Sequence, residues 1–364
     1  MRLSKIKIIS ILIIGLFFCA GMIPTGLSSQ RVEENTIYVD DDNTDGPWDG
    51  TIDHPYQYLQ DGIDAAVDGD TVFVCNGCYH ELNISCNKSV KIIGENKDST
   101  IIDGVYGENF SYLIVENPNV CIKNFTFTHY NIVLTDSLDV NGSFNSGTII
   151  FNHNCVKYTE IALLLMSTSD DQVFEVKHNV LQSDDDQSIG IVVFSYSSST
   201  IISQNVIDGF LFGILGSGNP TVTRNHISNN SYAGISLMID FMDVDMAITE
   251  NNFVDNYAHA SFFYDHNLGS LKTRILSVSQ VDFLDVFDEV FLGQGTVDST
   301  AKSKKRFSIQ WDRNYWDDKT GFGPKVILGG ITLHYYLPDD SITVRIPWLN
   351  FDWHPAKTPY DIVV

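Results

Sequence analysis

Six stretches decide how this chain folds: Ile122-Lys-Asn124-Phe-Thr-Phe, Ile150-Phe-Asn-His-Asn154-Cys-Val, Val176-Lys-His-Asn179-Val-Leu, Ile201-Ile-Ser-Gln-Asn205-Val-Ile, Val222-Thr-Arg-Asn225-His-Ile and Ile248-Thr-Glu-Asn-Asn252-Phe-Val. Each is a short apolar run interrupted by asparagine. Counted on Asn124, Asn154, Asn179, Asn205, Asn225 and Asn252, the spacings are 30, 25, 26, 20 and 27 residues. A second marker, Gly-Ile, recurs at Gly190-Ile191, Gly213-Ile214 and Gly234-Ile235, spaced 23 and 21. Runs of four to six residues rich in Val, Ile, Phe and Thr, separated by Ser, Asn, Asp and Gly, read as strands broken by turns. Two or three such strands per repeat make one turn of a parallel β-solenoid, whose turns stack at ~4.8 Å. Inward Ile, Val, Leu and Phe then form columns, and an asparagine repeated at one corner can bond to its copies above and below.

Working outward, strands are expected at residues 71–74, 81–84, 90–93 and 100–102. Leu59, Ile63 and Ala66 fall on one helical face, which predicts a short helix over 58–66 covering the open N-terminal end. Residues 71–264 hold roughly eight turns at 20–29 residues each. Beyond Asp265 the repeat stops. Val281, Phe283, Leu284, Val286, Phe287, Val290 and Phe291 follow neither period, so 265–308 reads as an insertion containing a small basic loop. Residues 309–364 carry four of the five tryptophans and are expected to close the other end.

The chain has 364 residues, 22 Lys plus Arg and 46 Asp plus Glu, a formal charge of −24. That excludes a general nucleic-acid binder, which needs a basic face, and disfavours adsorption to anionic lipid. Residues 1–30 show a basic start, an apolar stretch from Ile8 and a small mixed end, the pattern of a secretory signal. The alternative is an uncleaved N-terminal anchor. A secreted or cell-surface location follows, and six N-x-S/T sequons at Asn83, Asn87, Asn109, Asn124, Asn141 and Asn229 fit it. Beyond residue 30 there are five cysteines: Cys75, Cys78, Cys86, Cys121 and Cys155. Core cysteines, or one disulfide, are the readings. Cys75-x-x-Cys78 is half a zinc pattern with no second half in sequence.

Residues 36–104 resemble the opening of secreted right-handed parallel β-helix proteins of the pectin-lyase-like group, close to the NosD-like repeat families. The matching text is Ile37-Tyr-Val-Asp-Asp-Asp42, His54-Pro-Tyr56, Ile63-Asp-Ala-Ala66, Asp68-Gly-Asp-Thr-Val-Phe-Val74, Gly77-Cys-Tyr79-His-Glu81 and Ile92-Ile-Gly-Glu95. Asn314-Tyr-Trp316-Asp-Asp resembles the terminal coil of that group, and the Trp353-His-Pro355 region its archaeal secreted members. The resemblance implies a right-handed parallel β-helix, an extracellular or surface location and carbohydrate-related ligands. It does not imply one activity.

Enzymes of that group use clustered carboxylates, with Ca²⁺ in the lyases. The hydrolases use carboxylate pairs about 5–9.5 Å apart. The acids here are Asp170, Asp171, Asp184, Asp185 and Asp186, either side of the strand around Val176, with Asp208 one turn on beside Arg224. Asp40, Asp41, Asp42 and Asp45 could hold structural Ca²⁺ or form a plain solvated turn. No other cofactor is expected. For glycan binding the candidates are Trp311, Tyr315, Trp316, Trp348 and Trp353, with Tyr335 and Tyr336, although the same aromatics could instead plug the core. Metal delivery would need clusters of His, Met or Cys. His153, His178 and His226 are spread over several turns, and His80, His259 and His334 stand alone in sequence. The expectation is therefore an all-β protein, an N-terminally capped right-handed parallel β-helix. It would be non-catalytic, with a glycan or envelope components as partners. The alternative is a lyase, hydrolase or epimerase acting on acidic polysaccharide.

Overall fold

In the computed structural model the chain from Thr71 on visits three sheets in rotation, interrupted by the small hairpin of Ser137–Leu138 and Phe144–Asn145. Residues 35–104, 111–117, 119–138, 144–145, 147–167, 169, 171–195, 200–239, 244–265, 307–337 and 340–364 are described. The signal or anchor, Asp170 and nearly all of the 265–308 insertion lie outside them. Complete turns begin at Thr71, Lys91, Val120, Thr148, Val173, Ile201, Thr221 and Val244, and a ninth begins at Phe307. The first turn shows the plan: Thr71–Val74 enters the first sheet, Gly77–Tyr79 the second and Asn83–Cys86 the third. All pairing between turns is parallel. This is the parallel β-helix that the repeats foretold, with eight turns before Asp265.

The pleat decides what faces inward. Ile122, Phe151, Val176, Ile202, Val222, Ile248 and Trp311 are register partners in the first sheet and form one buried column. Strands Ile161–Ser167 and Ile189–Ser195 of the third sheet are buried at every position, so both their faces are covered.

The corner between first and second sheets carries two rows. Asn124, His153, His178, Gln204, Arg224, Glu250 and Arg313 all have φ between 54° and 66°, the left-handed conformation that turns the chain. The next residue in each turn forms the ladder. Asn154, Asn179, Asn205, Asn225, Asn251 and Asn314 are fully buried. Each amide oxygen accepts the backbone N–H of the preceding turn's row member, at 2.9–3.0 Å. From Asn179 on, each side-chain N–H also donates to the next oxygen. Asn314 gives its N–H groups to Asp352 Oδ2, which also takes the Trp316 indole N–H at 3.0 Å.

Two expected ladder positions therefore move by one residue. Asn124 belongs to the left-handed row and Phe125 heads the ladder. Asn252 belongs to the second sheet, and Asn251 takes its place. The rule is geometric: the ladder residue lies three after the inward residue of the first sheet.

The helix Leu59–Ala65 covers the first turn, with Leu59, Ile63 and the adjoining Ala66 buried. Its start has no side-chain cap of its own. Glu81, from the first turn, accepts the Leu59 and Gln60 N–H groups at 2.6 and 3.0 Å. At the other end Lys325–Leu337 and Asp340–Asp352 form an antiparallel hairpin. The tail then runs back along the outer corner. Asn252 exchanges two 2.8 Å hydrogen bonds with the Tyr360 backbone, and Val363 O meets His178 Nδ1 at 3.2 Å. Among the described residues no helix is long and apolar enough to cross a membrane.

Candidate functional site

The acids singled out in sequence do not converge. Asp171 lies where the third sheet leads to the first, and Asp184, Asp185 and Asp186 where the second leads to the third, so they occupy different corners. Asp185 Oδ1 accepts the Gln187 N–H and Asp186 Oδ1 the Gln187 amide, closing their own loop. Asp208 takes Ser228 and Asn229 at 2.6 and 2.7 Å. Arg224 pairs with Glu250 at 2.8 Å and not with Asp208. The left-handed turn at Arg224 sends it along the outer row, where Glu250 also meets Arg313 at 2.6 Å. The N-terminal acids diverge as well. Asp40 closes its own turn onto the Asp42 N–H, and Asp41 accepts the Cys78 N–H. Asn43 spends its amide on the Pro47 and Pro55 carbonyls.

The tryptophans divide into two pairs. Trp311 and Trp316, 4% and 2% exposed, end inward columns and plug the core. Trp316 stacks on Phe253 at 4.4 Å and 9°. Trp348 and Trp353 are 49% and 62% exposed and free to meet a ligand, with Tyr315 between the two extremes.

The last turns form a groove of about 680 Å³, and of the aromatic residues named for glycan binding Trp316 lines it. Tyr232, Tyr257, His259, Asp318, Lys325 and Leu328 line it, over the edge of Trp316. Its origin lies in the Gly-Ile marker. A Cβ on Gly190 would come within 2.5 Å of the Gly213 carbonyl oxygen, one on Gly213 within 2.6 Å of that of Gly234, and one on Gly234 within 2.7 Å of that of His259. Close approach of stacked backbones thus demands glycine at three successive turns. Ile191, Ile214, Ile235 and Ala260 are register partners, so His259 stands where the earlier turns have glycine. At that end an imidazole fits.

A second, shorter amide row fixes that ring. Asn230 donates to Asn256 Oδ1, which leaves the Asn256 NH₂ to face His259 Nδ1 at 3.3 Å. Nδ1 is therefore the acceptor, and Nε2–H donates to Asp317 Oδ1 at 2.7 Å, with Asp318 Oδ1 at 3.4 Å. Burial lowers the His259 pKa below its ordinary value, although Asp318 and Asp317 oppose it. The neutral tautomer satisfies both observations. Lys325 pairs with Asp318 and lies over Trp316 at 5.6 Å. His259, Asp317 and Asp318 have metal-ligand proximity. A metal at Nε2 would need Nδ1 to carry a proton, and that proton would point at the Asn256 NH₂. The donor set does not fit a metal.

Fold and groove together define a parallel β-helix protein with an aromatic, polar groove at its last turns. No protein-family model matches the chain, and no curated protein matches it. Among solved structures, an alginate lyase from Paenibacillus sp. str. FPU-7 is similar at a TM-score of 0.32 and 13% identity, over 64% of this chain and 94% of that chain. A likeness of that degree carries no argument about what this protein does.

Proposed function

We propose that the protein is a secreted or cell-surface carbohydrate-binding β-helix of the NosD-like kind, and that the groove at its last turns holds the glycan without cleaving it. The observation that carries the reading is Tyr257, 84% exposed on the groove wall beside polar groups already held in place. Sugars present flat C–H faces and a rim of hydroxyls. Exposed tyrosines suit the first, and Asp318, Lys325 and Ser261 suit the second. The volume lies within the range of small-ligand clefts. Non-cleavage is favoured because both His259 nitrogens are committed to neighbours. The N-terminal signal pattern supports export.

The test passes the full chain over immobilised uronic-acid and neutral polysaccharides while assaying unsaturated products and reducing ends. Retention without product is expected, with Tyr257→Ala weakening it about tenfold, the equivalent of ~1.4 kcal/mol. Product formation lost in His259→Gln would overturn the non-catalytic reading. Retention unchanged in Tyr257→Ala would remove the groove from it.

A further inference from the structure

Among the described residues Cys75-x-x-Cys78 finds no second cysteine pair, and the five described cysteines are all free thiols. The second sheet gives Cys78 other company. Cys78 is the middle residue of Gly77–Tyr79 and faces outward. His80, two residues on and just past the strand's end, is exposed like Cys78. Tyr79 pairs with Ile102, which sets Asp103 of the next turn beside His80. The contacts follow from that register. Cys78 Sγ lies 3.7 Å from His80 Nε2, and His80 Nδ1 lies 3.8 Å from Asp103 Oδ2. One ligand atom from each residue lies within 4.8 Å of the other two.

Cys78 meets the Nε2 side of the ring and Asp103 the Nδ1 side, so an ion would take one of the two nitrogens, within 4.8 Å of the sulfur and the carboxylate. Zn–S and Zn–N bonds of about 2.3 and 2.0 Å hold sulfur and nitrogen about 3.5 Å apart at a tetrahedral angle. Strands fix the backbone of Cys78 and Asp103, and His80 directly follows the first of them. Asp103 is also oriented. Its Oδ1 accepts the Thr128 hydroxyl at 2.9 Å and meets His129 Nδ1 at 3.0 Å, and its Oδ2 faces His80 Nδ1. Outer hydrogen bonds of this kind are how metal-binding carboxylates are held. A thiolate, an imidazole and a carboxylate select zinc-like ions over calcium or magnesium. They carry two negative charges, which a divalent ion neutralises.

We infer that Cys78, His80 and Asp103 bind a zinc-class divalent ion on the outer face of the second sheet, with His129 positioning Asp103. The test titrates the metal-free full chain with Co²⁺, reading the thiolate-to-cobalt charge-transfer absorption, and then displaces it with Zn²⁺. One equivalent per chain is expected. Cys78→Ser should abolish the charge-transfer band and His80→Ala the stoichiometric binding. Cys75→Ser should leave both intact. His129→Ala should keep the stoichiometry and weaken affinity about 10–100-fold. Circular dichroism of each metal-free variant must match the parent, so that a lost band is not lost fold. No band in the parent, a band surviving Cys78→Ser, or equal loss in Cys75→Ser would each overturn the site.

Discussion

Asn205 is fully buried and holds four partners. Its oxygen accepts from the Asn179 backbone and side chain, and its NH₂ donates to the Val176 carbonyl and to Asn225 Oδ1. Truncating it strands several buried polar groups at about 1–3 kcal/mol each. Asn205→Ala should therefore cost about 2–4 kcal/mol, read calorimetrically as a fall in Tm. Asn124→Gly, on the left-handed row, should cost less than about 1 kcal/mol. The repeated asparagine was legible in sequence. Its register was not at both ends, because Asn251-Asn252 offers two choices and only the inward Ile248 decides between them. His259 makes a pH prediction. Its folded pKa lies below the unfolded value of ~6.5, so the stabilisation is full above ~6.5 and is lost as pH falls through the folded value. Between pH ~7 and ~5 the parent should lose more Tm than His259→Gln does.

Strand positions were readable to within a residue or two because period and composition agree. The expected 90–93 is Lys91–Gly94, and the expected 81–84 is Asn83–Cys86. Pairing between turns, which no local signal contains, sets the ends. The third sheet's continuous apolar runs follow from burial on both faces. The Gly-Ile column was visible as a marker, but its reason, carbonyls of the neighbouring turn within 2.7 Å of a would-be Cβ, is purely spatial. Gly213→Ala should cost about 1–3 kcal/mol by overpacking. Gly330→Ala, whose Cβ would meet nothing nearer than 3.7 Å, should be tolerated. Comparing the two urea midpoints checks this. The groove had two sequence signals: Trp316, a glycan-binding candidate that lines it, and the lapse of the marker at His259-Ala260. Its partner Asp317 lies 58 residues further on, across the insertion, and no period links them.

Across the whole molecule the tail acts as a strap. It binds the ninth turn at Ala356, the eighth at Tyr360 and the fifth at Val363. Deleting residues 358–364 removes three or four hydrogen bonds at about 0.5–1.5 kcal/mol each. Thermal unfolding should begin several degrees lower, with hydrogen exchange at Asn252 rising before that at Ile122. The aromatic closure was expected in sequence, but the strap was not, because 355–364 has no periodicity to betray what it touches. The amide ladder has a further consequence. Its amide-to-amide hydrogen bonds all run one way, and the last meets a carboxylate at Asp352. Such a file has a head and a tail but no preferred membership. Removing residues 201–220, one 20-residue period, would seat Asn179 against Asn225 and leave both ends untouched. The shortened chain should fold with its groove intact. Gene duplication or loss of single periods can therefore resize this protein in steps of ~4.8 Å without inventing a new terminus.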